Sequence, residues 1–190
     1  MIAVSRRHSR AAEASRPDSA NSGPSNWNRR LLIALLAAVD FLLAGHMALY
    51  QWGMIDAVWD PVFGAEQSHL VLRFGVSELI RQTFLVPDAA LGAAAYLAEI
   101  ILSVGGSAER WRRQPWLVVV FGINALAVAL VGVALIVLQP TVVGAWCLLC
   151  LVTAVFSIAM LGLALPEVLA SLGHLRRRWF AGVDSARPES

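Results

Sequence analysis

Four long apolar runs constrain this 190-residue chain more than any other feature: approximately Leu31–Tyr50, Ala89–Gly105, Trp116–Leu138 and Val142–Leu165. A bilayer's hydrocarbon core is about 30 Å thick, and a helix rising about 1.5 Å per residue crosses it in about 20 residues. No water reaches the backbone there, so each run must coil on itself or join a closed barrel. These runs are too long for barrel strands. The prediction is an all-α integral membrane protein, a four-transmembrane-helix bundle. Composition agrees, with 58% hydrophobic and 15% charged residues and a mean hydropathy of +0.65, which excludes an ordinary soluble domain. The lipid bilayer is the first expected partner, and no nucleic-acid partner is expected.

Arginine predicts the orientation, because the chain has no lysine. Arg6, Arg7, Arg10, Arg16, Arg29 and Arg30 precede the first run; Arg110, Arg112 and Arg113 lie between the second and third; Arg176, Arg177, Arg178 and Arg187 follow the fourth. These are 13 of the 15 arginines, so the positive-inside rule puts both termini in the cytoplasm. The other two, Arg73 and Arg81, share the Trp52–Pro87 segment with Asp56, Asp60, Glu66 and Glu78. Trp52, Trp59 and Trp146 then mark the outer interface, and Trp111, Trp116 and Trp179 the inner one.

Residues 1–30 carry no apolar period and read as a disordered cytoplasmic tail, with 166–190 a second, basic one. The pair Arg6–Arg7 is too far from the first apolar run to be a twin-arginine export signal. The external segment, 52–87, holds an imperfect apolar stripe at Leu72, Val76, Leu79 and Ile80. It predicts a short amphipathic helix, lying on the bundle mouth as a lid or resting among lipid headgroups.

The chain's only cysteines, Cys147 and Cys150, lie in the run GAWCLLCLVTA. With Gln139–Pro140–Thr141 as a tight external connection, they fall about 8 and 12 Å below the outer edge of the last helix, on one face. Zinc wants about four ligands, and no second cysteine pair or spaced histidine pair supplies them, so no metal is expected. Two readings remain open on the residues alone. Free cysteine is a common packing residue. A dithiol near a helix start, on the oxidising side of a membrane, also suits redox exchange.

WCLLCLVTA at 146–154 and VPDAALGAAAYLAE at 86–99, set in this topology, resemble the vitamin K epoxide reductase family over residues 31–165. The resemblance implies a bacterial inner-membrane thiol-disulfide oxidoreductase that passes electrons from a thiol partner to a membrane quinone of the menaquinone or ubiquinone class. By resemblance Cys147 meets an external thioredoxin-like protein and Cys150 faces the quinone. Three departures stand out. The external segment lacks the family's usual second cysteine pair, which relays electrons to the CxxC; Ala154 replaces the Tyr that human-type members carry; and Asp88 stands where an Asn or Ser would bond a quinone oxygen. A non-enzymatic membrane scaffold or assembly factor, with the CxxC as packing, is the alternative.

Other polar residues fall inside the runs, where they are costly. His46, level with Cys147, is placed to assist thiol deprotonation, bond a quinone or rest at the interface. Asp40 and Glu99 fall at similar depth, as a structural pair or a proton route. Asn124 reads as interhelical glue.

Overall fold

A computed structural model describes residues 25–74 and 86–185, all helix, turn or irregular loop with no strand among them. Helix α1 is Trp27–Gln51, α2 Ala65–Leu72, α3 Asp88–Val104, α4 Arg110–Arg113, α5 Pro115–Leu138 and α6 Leu148–Ser185. A π-helical turn, Gln139–Val143, follows α5 directly.

Local chemistry fixes several of these boundaries. The Asn26 side chain accepts from the Asn28 N–H at 2.9 Å and caps α1. Pro115 opens α5, where its missing N–H costs nothing. At the far end of the π-helical turn Gly144 takes a φ of 69°, a left-handed conformation that lets the chain leave the helix and accommodates glycine without a Cβ penalty. The chain then runs irregularly to Leu148.

Among the described residues three helical stretches are long and apolar enough to cross a membrane: Trp27–Gln51, Pro115–Val143 and Leu148–Trp179. The sequence predicts four. Helix α3 is the difference: its 17 residues span only about 25 Å, short of the hydrocarbon core. It packs mainly on α1, while α5 packs mainly on α6. One face of each long helix is buried, as at Ile33, Ala37 and Phe121, and large apolar side chains such as Leu35, Leu42, Ile123 and Leu130 are exposed on the other. Inverted exposure of this kind suits lipid as solvent.

Polar clips hold both ends of the short α3. At its start, Gln51 donates to Asp88 Oδ1 at 2.5 Å and to the Leu72 carbonyl at 3.0 Å, and accepts from the Ala89 N–H at 3.2 Å. At its end, Arg30 donates to the carbonyls of Ser103 and Gly105, each at 2.7 Å. Arg110 donates to those of Leu102, Ser103 and Gly105 and holds Glu167 through two parallel bonds of 2.5 and 2.9 Å. The last carbonyls of a helix are orphaned and carry negative partial charge, so two guanidinium groups satisfy them both as donors and as cations.

Several sequence expectations change here. Arg30 is not part of a solvated tail: it is 1% exposed, and α1 already begins at Trp27. Residues 1–24 lie outside the described ones, as does the stripe at Val76, Leu79 and Ile80. Within the described part of the segment lies α2, which packs against the π-helical turn. The last helix does not begin at Val142, because the π turn and the left-handed Gly144 carry the chain to Leu148 first. Nor does it end at Leu165: α6 runs on through Pro166 to Ser185.

Candidate active site

The late start of α6 moves the dithiol. Cys147 precedes the helix and Cys150 occupies its first turn, so the depths of about 8 and 12 Å expected from a helix beginning at Val142 do not apply. The Cys150 N–H donates to Cys147 Sγ at 3.3 Å. An unpaired amide at a helix N-terminus, aimed at sulfur, favours the anionic thiolate. The Cys150 thiol donates to Met47 Sδ on α1 at 3.5 Å. Both cysteines are free and buried, at 0% and 3% exposure.

Two side chains organise this helix start. Gln139 Oε1 accepts from the Cys147 N–H at 2.9 Å. Asp60, from the segment after α1, accepts from the Leu148 N–H at 2.9 Å and from Ser68 Oγ at 2.6 Å through Oδ2, and through Oδ1 from the N–H groups of Val62 and Phe63. Burial works against the Asp60 charge, but the bonds from Ser68, Leu148, Phe63 and Val62 outweigh it and hold the carboxyl below the ordinary carboxylate range. The same segment bonds the dithiol loop again where Gln67 accepts from the Trp146 N–H at 3.3 Å, and Phe63 stacks on Trp146. It is anchored to α1 by the stacked rings of His69 and Tyr50, 4.4 Å apart. Asp60, Phe63 and Gln67 therefore pack this segment against both neighbours of the buried Cys147.

Below the dithiol lies a cavity of about 310 Å³. Cys150 and Thr153 of α6, Met47 and Ala44 of α1, Asp88 and Tyr96 of α3 and Leu135 of α5 are among the residues around it. Tyr96 Oη and Ser157 Oγ are 3.0 Å apart, and Ser157 donates to the Thr153 carbonyl at 2.7 Å. With the Ser157 proton so engaged, the Tyr96 hydroxyl donates to Ser157.

The structure brings Cys147, Cys150 and Asp88 together and leaves His46 apart. His46 accepts from the Trp59 N–H at 3.3 Å and lines a separate groove between α1 and α3 with Phe41, Trp52 and Ala93. Asp40 and Glu99 form no hydrogen bond with each other: Asn124 donates to Glu99 Oε2 at 2.5 Å and to the Ala95 carbonyl at 3.1 Å, whereas both Asp40 oxygens lack a partner. Among the described residues no cluster of three His, Cys, Asp or Glu side chains could hold a metal ion. Sequence reading overlooked the roles of Asp60, Gln139, Met47 and Gln51. Gln139 carried the one local signal, a long polar side chain next to a proline between two apolar runs.

Curated proteins provide no match to the chain. The family model for the vitamin K epoxide reductase family matches residues 31–165, the stretch that contains α1, the segment clamped by Asp60, α3, α5 and the dithiol-bearing start of α6. That match covers well over half of the sequence, and the chain belongs to the vitamin K epoxide reductase family.

Proposed function

We propose that this protein is a membrane thiol-disulfide oxidoreductase that moves electrons from an external thiol protein, through Cys147 and Cys150, to a membrane quinone. In this reading α3 crosses the membrane as the fourth span, both termini are cytoplasmic, and the dithiol lies near the external face of a bacterial inner membrane, beside the segment that Asp60 clamps. One observation carries the proposal: Cys150, the inner thiol, borders a largely apolar cavity of about 310 Å³ whose other polar residues include Asp88 and Tyr96. That volume is at the lower end of small-molecule sites and suits a flat ring system. The apolar walls and the few polar atoms suit a quinone head.

The partner's thiolate attacks Cys147 Sγ of the Cys147–Cys150 disulfide, and Cys150 leaves with the bonding pair. The partner's second thiolate then attacks the mixed disulfide and releases Cys147. The partner is now a disulfide, and this chain is a dithiol. A bound quinone supplies the sink for two electrons and two protons. As those leave, the Cys147–Cys150 bond re-forms. Throughout, the Cys150 N–H steadies charge on Cys147, Met47 holds the Cys150 thiol beside the cavity, and Asp88 and Tyr96 orient what binds there.

The test is quinol formation by purified protein in lipid, followed by absorbance with an added dithiol. Wild type should turn over, and Cys147→Ser or Cys150→Ser should abolish turnover, since a mixed disulfide needs a second thiol to resolve it. A wild type that reduces no membrane quinone would replace this reading with that of a scaffold in which the cysteines only pack.

A further inference from the structure

Asp40 is the least satisfied polar side chain in the described structure. It is 0% exposed, lies in the middle of α1, and neither carboxylate oxygen has a hydrogen-bond partner. A bare carboxylate in such a place costs far more than the fold can offset, so the group must carry a proton. Its position relates it to the cavity. Ala44 and Met47, which line the cavity from α1, are four and seven residues further along, so Asp40 lies on their face, one turn beneath. From α3, Tyr96 lines the same cavity. The titratable groups that line the cavity from the facing helices are Asp88 and Tyr96 of α3 and Cys150 of α6. Glu99 is held by Asn124, and no arginine pairs with Asp40.

We propose that Asp40 is the proton store of the quinone site, giving one of the two protons of quinone reduction through the Tyr96 hydroxyl. The proposal rests on the function proposed above. Oxidation of the dithiol yields two electrons and two protons. The Cys150 proton goes to one quinone oxygen. The Asp40 proton goes to the other, by way of Tyr96, which passes on its own proton and takes that of Asp40. The Cys147 proton leaves to external water as that sulfur becomes thiolate, and one proton from that same water restores Asp40, by way of Tyr96 and the emptied cavity, before the next turnover. The net reaction is dithiol plus quinone to disulfide plus quinol, with nothing left over.

Asp40→Asn tests this, because an amide has nearly the shape of a protonated carboxyl and keeps the fold while losing the transferable proton. The infrared difference spectrum between dithiol and disulfide protein with quinone present should contain a carboxylic acid C=O band that Asp40→Asn lacks. In the same variant kcat for quinol formation should fall on the order of 10²-fold, the usual contribution of a positioned proton donor, with the dithiol KM unchanged. Reduction of the Cys147–Cys150 disulfide by dithiol without quinone should keep its wild-type rate, and Asp40→Glu should recover part of kcat. Wild-type kcat in Asp40→Asn, or a carboxylic acid band that survives the substitution, overturns the proposal. If wild-type protein exchanges thiols but forms no quinol, the functional reading itself fails, and this inference with it.

Discussion

The Asp60 carboxylate accepts the Leu148 N–H from 88 positions away in sequence and caps the helix that begins between the two cysteines. One side chain thereby closes the segment over Cys147 and completes the first turn that holds Cys150. Access to the dithiol and its local geometry are coupled through this contact.

Removing the cap should uncouple them. Asp60→Asn loses the charge, and Asp60→Ala the acceptor as well. Loss of a cap typically costs about 1 kcal/mol of stability. Both variants should let a bulky water-soluble thiol reagent reach Cys147 faster than in wild type, with Cys150 lagging because it borders the inner cavity. An unchanged labelling rate would mean that residues 52–72 open by another route.

The depressed Asp60 carboxyl also sets a pH window. A group whose folded pKa lies below its unfolded value near 4 stabilises the fold fully above that unfolded value, and the contribution disappears as pH falls through the folded pKa. Thermal unfolding of wild type in lipid should therefore lose stability as the pH falls below about 4, and its advantage over Asp60→Asn should shrink across the same window. A constant difference between the two at every pH would show that the charge contributes nothing.

Close packing explains one departure from human-type relatives. A Cβ built on Gly132 of α5 would lie 3.0 Å from Ala154 Cα and 3.2 Å from its Cβ, so the two helices meet at these residues. Ala154 is 1% exposed. No tyrosine fits there unless α5 retreats. Gly132→Ala should destabilise the protein by about 1–3 kcal/mol, the usual range for an overpacked contact, and Ala154→Tyr should do more harm. Melting curves in detergent check both, and an undisturbed Ala154→Tyr would contradict the packing.

How far the sequence exposes this site follows from the range of its interactions. The long apolar runs are legible because crossing a membrane is set by length and composition, and the CxxC is legible because its chemistry depends on local spacing. The apolar run Ala89–Gly105 gives helix α3 to within one residue of Asp88–Val104, but the polar clips at its ends are not legible, because Gln51, Arg30 and Arg110 lie far from it in sequence or beyond its apolar run. Arg30 and Arg110 look like topology signals, and they serve as buried caps. The apolar run puts the start of α6 too early, because it says nothing of the π-helical turn and the left-handed Gly144. Asp60 gave no sign of its partner, since nothing local joins positions 60 and 148. The tyrosine that reaches the cavity, Tyr96, comes from α3 and not from the helix of the cysteines.

The Arg110–Glu167 pair should be the most fragile contact away from the dithiol. Both side chains are buried, and Arg110 also satisfies the end of α3. Glu167→Ala strands a buried guanidinium charge, at a typical cost of about 3–5 kcal/mol. Glu167→Gln, which keeps an acceptor, should cost less. Thermal unfolding of the two variants measures the order, and equal losses would indicate that the carboxylate charge is irrelevant to the clasp.

The absent relay makes the sharpest prediction for turnover. The chain has two cysteines in all, so it can store one pair of electrons and no more. Reduced protein, freed of excess dithiol and mixed with quinone in lipid, should form one quinol per chain and stop. Turnover should resume when a small dithiol or a thioredoxin-like protein is added. Because Cys147 is 0% exposed beneath the segment that Asp60 clamps, the small dithiol should act faster than the protein donor in wild type. Asp60→Asn should narrow that gap by helping the bulky donor more. Cys150→Ser, unable to resolve an attack at Cys147, should accumulate a mixed disulfide with the donor that mass spectrometry assigns to Cys147. Sustained turnover in Cys147→Ser would show that electrons enter elsewhere, and a burst larger than one quinol per chain would reveal a second electron store that these two sulfurs do not provide.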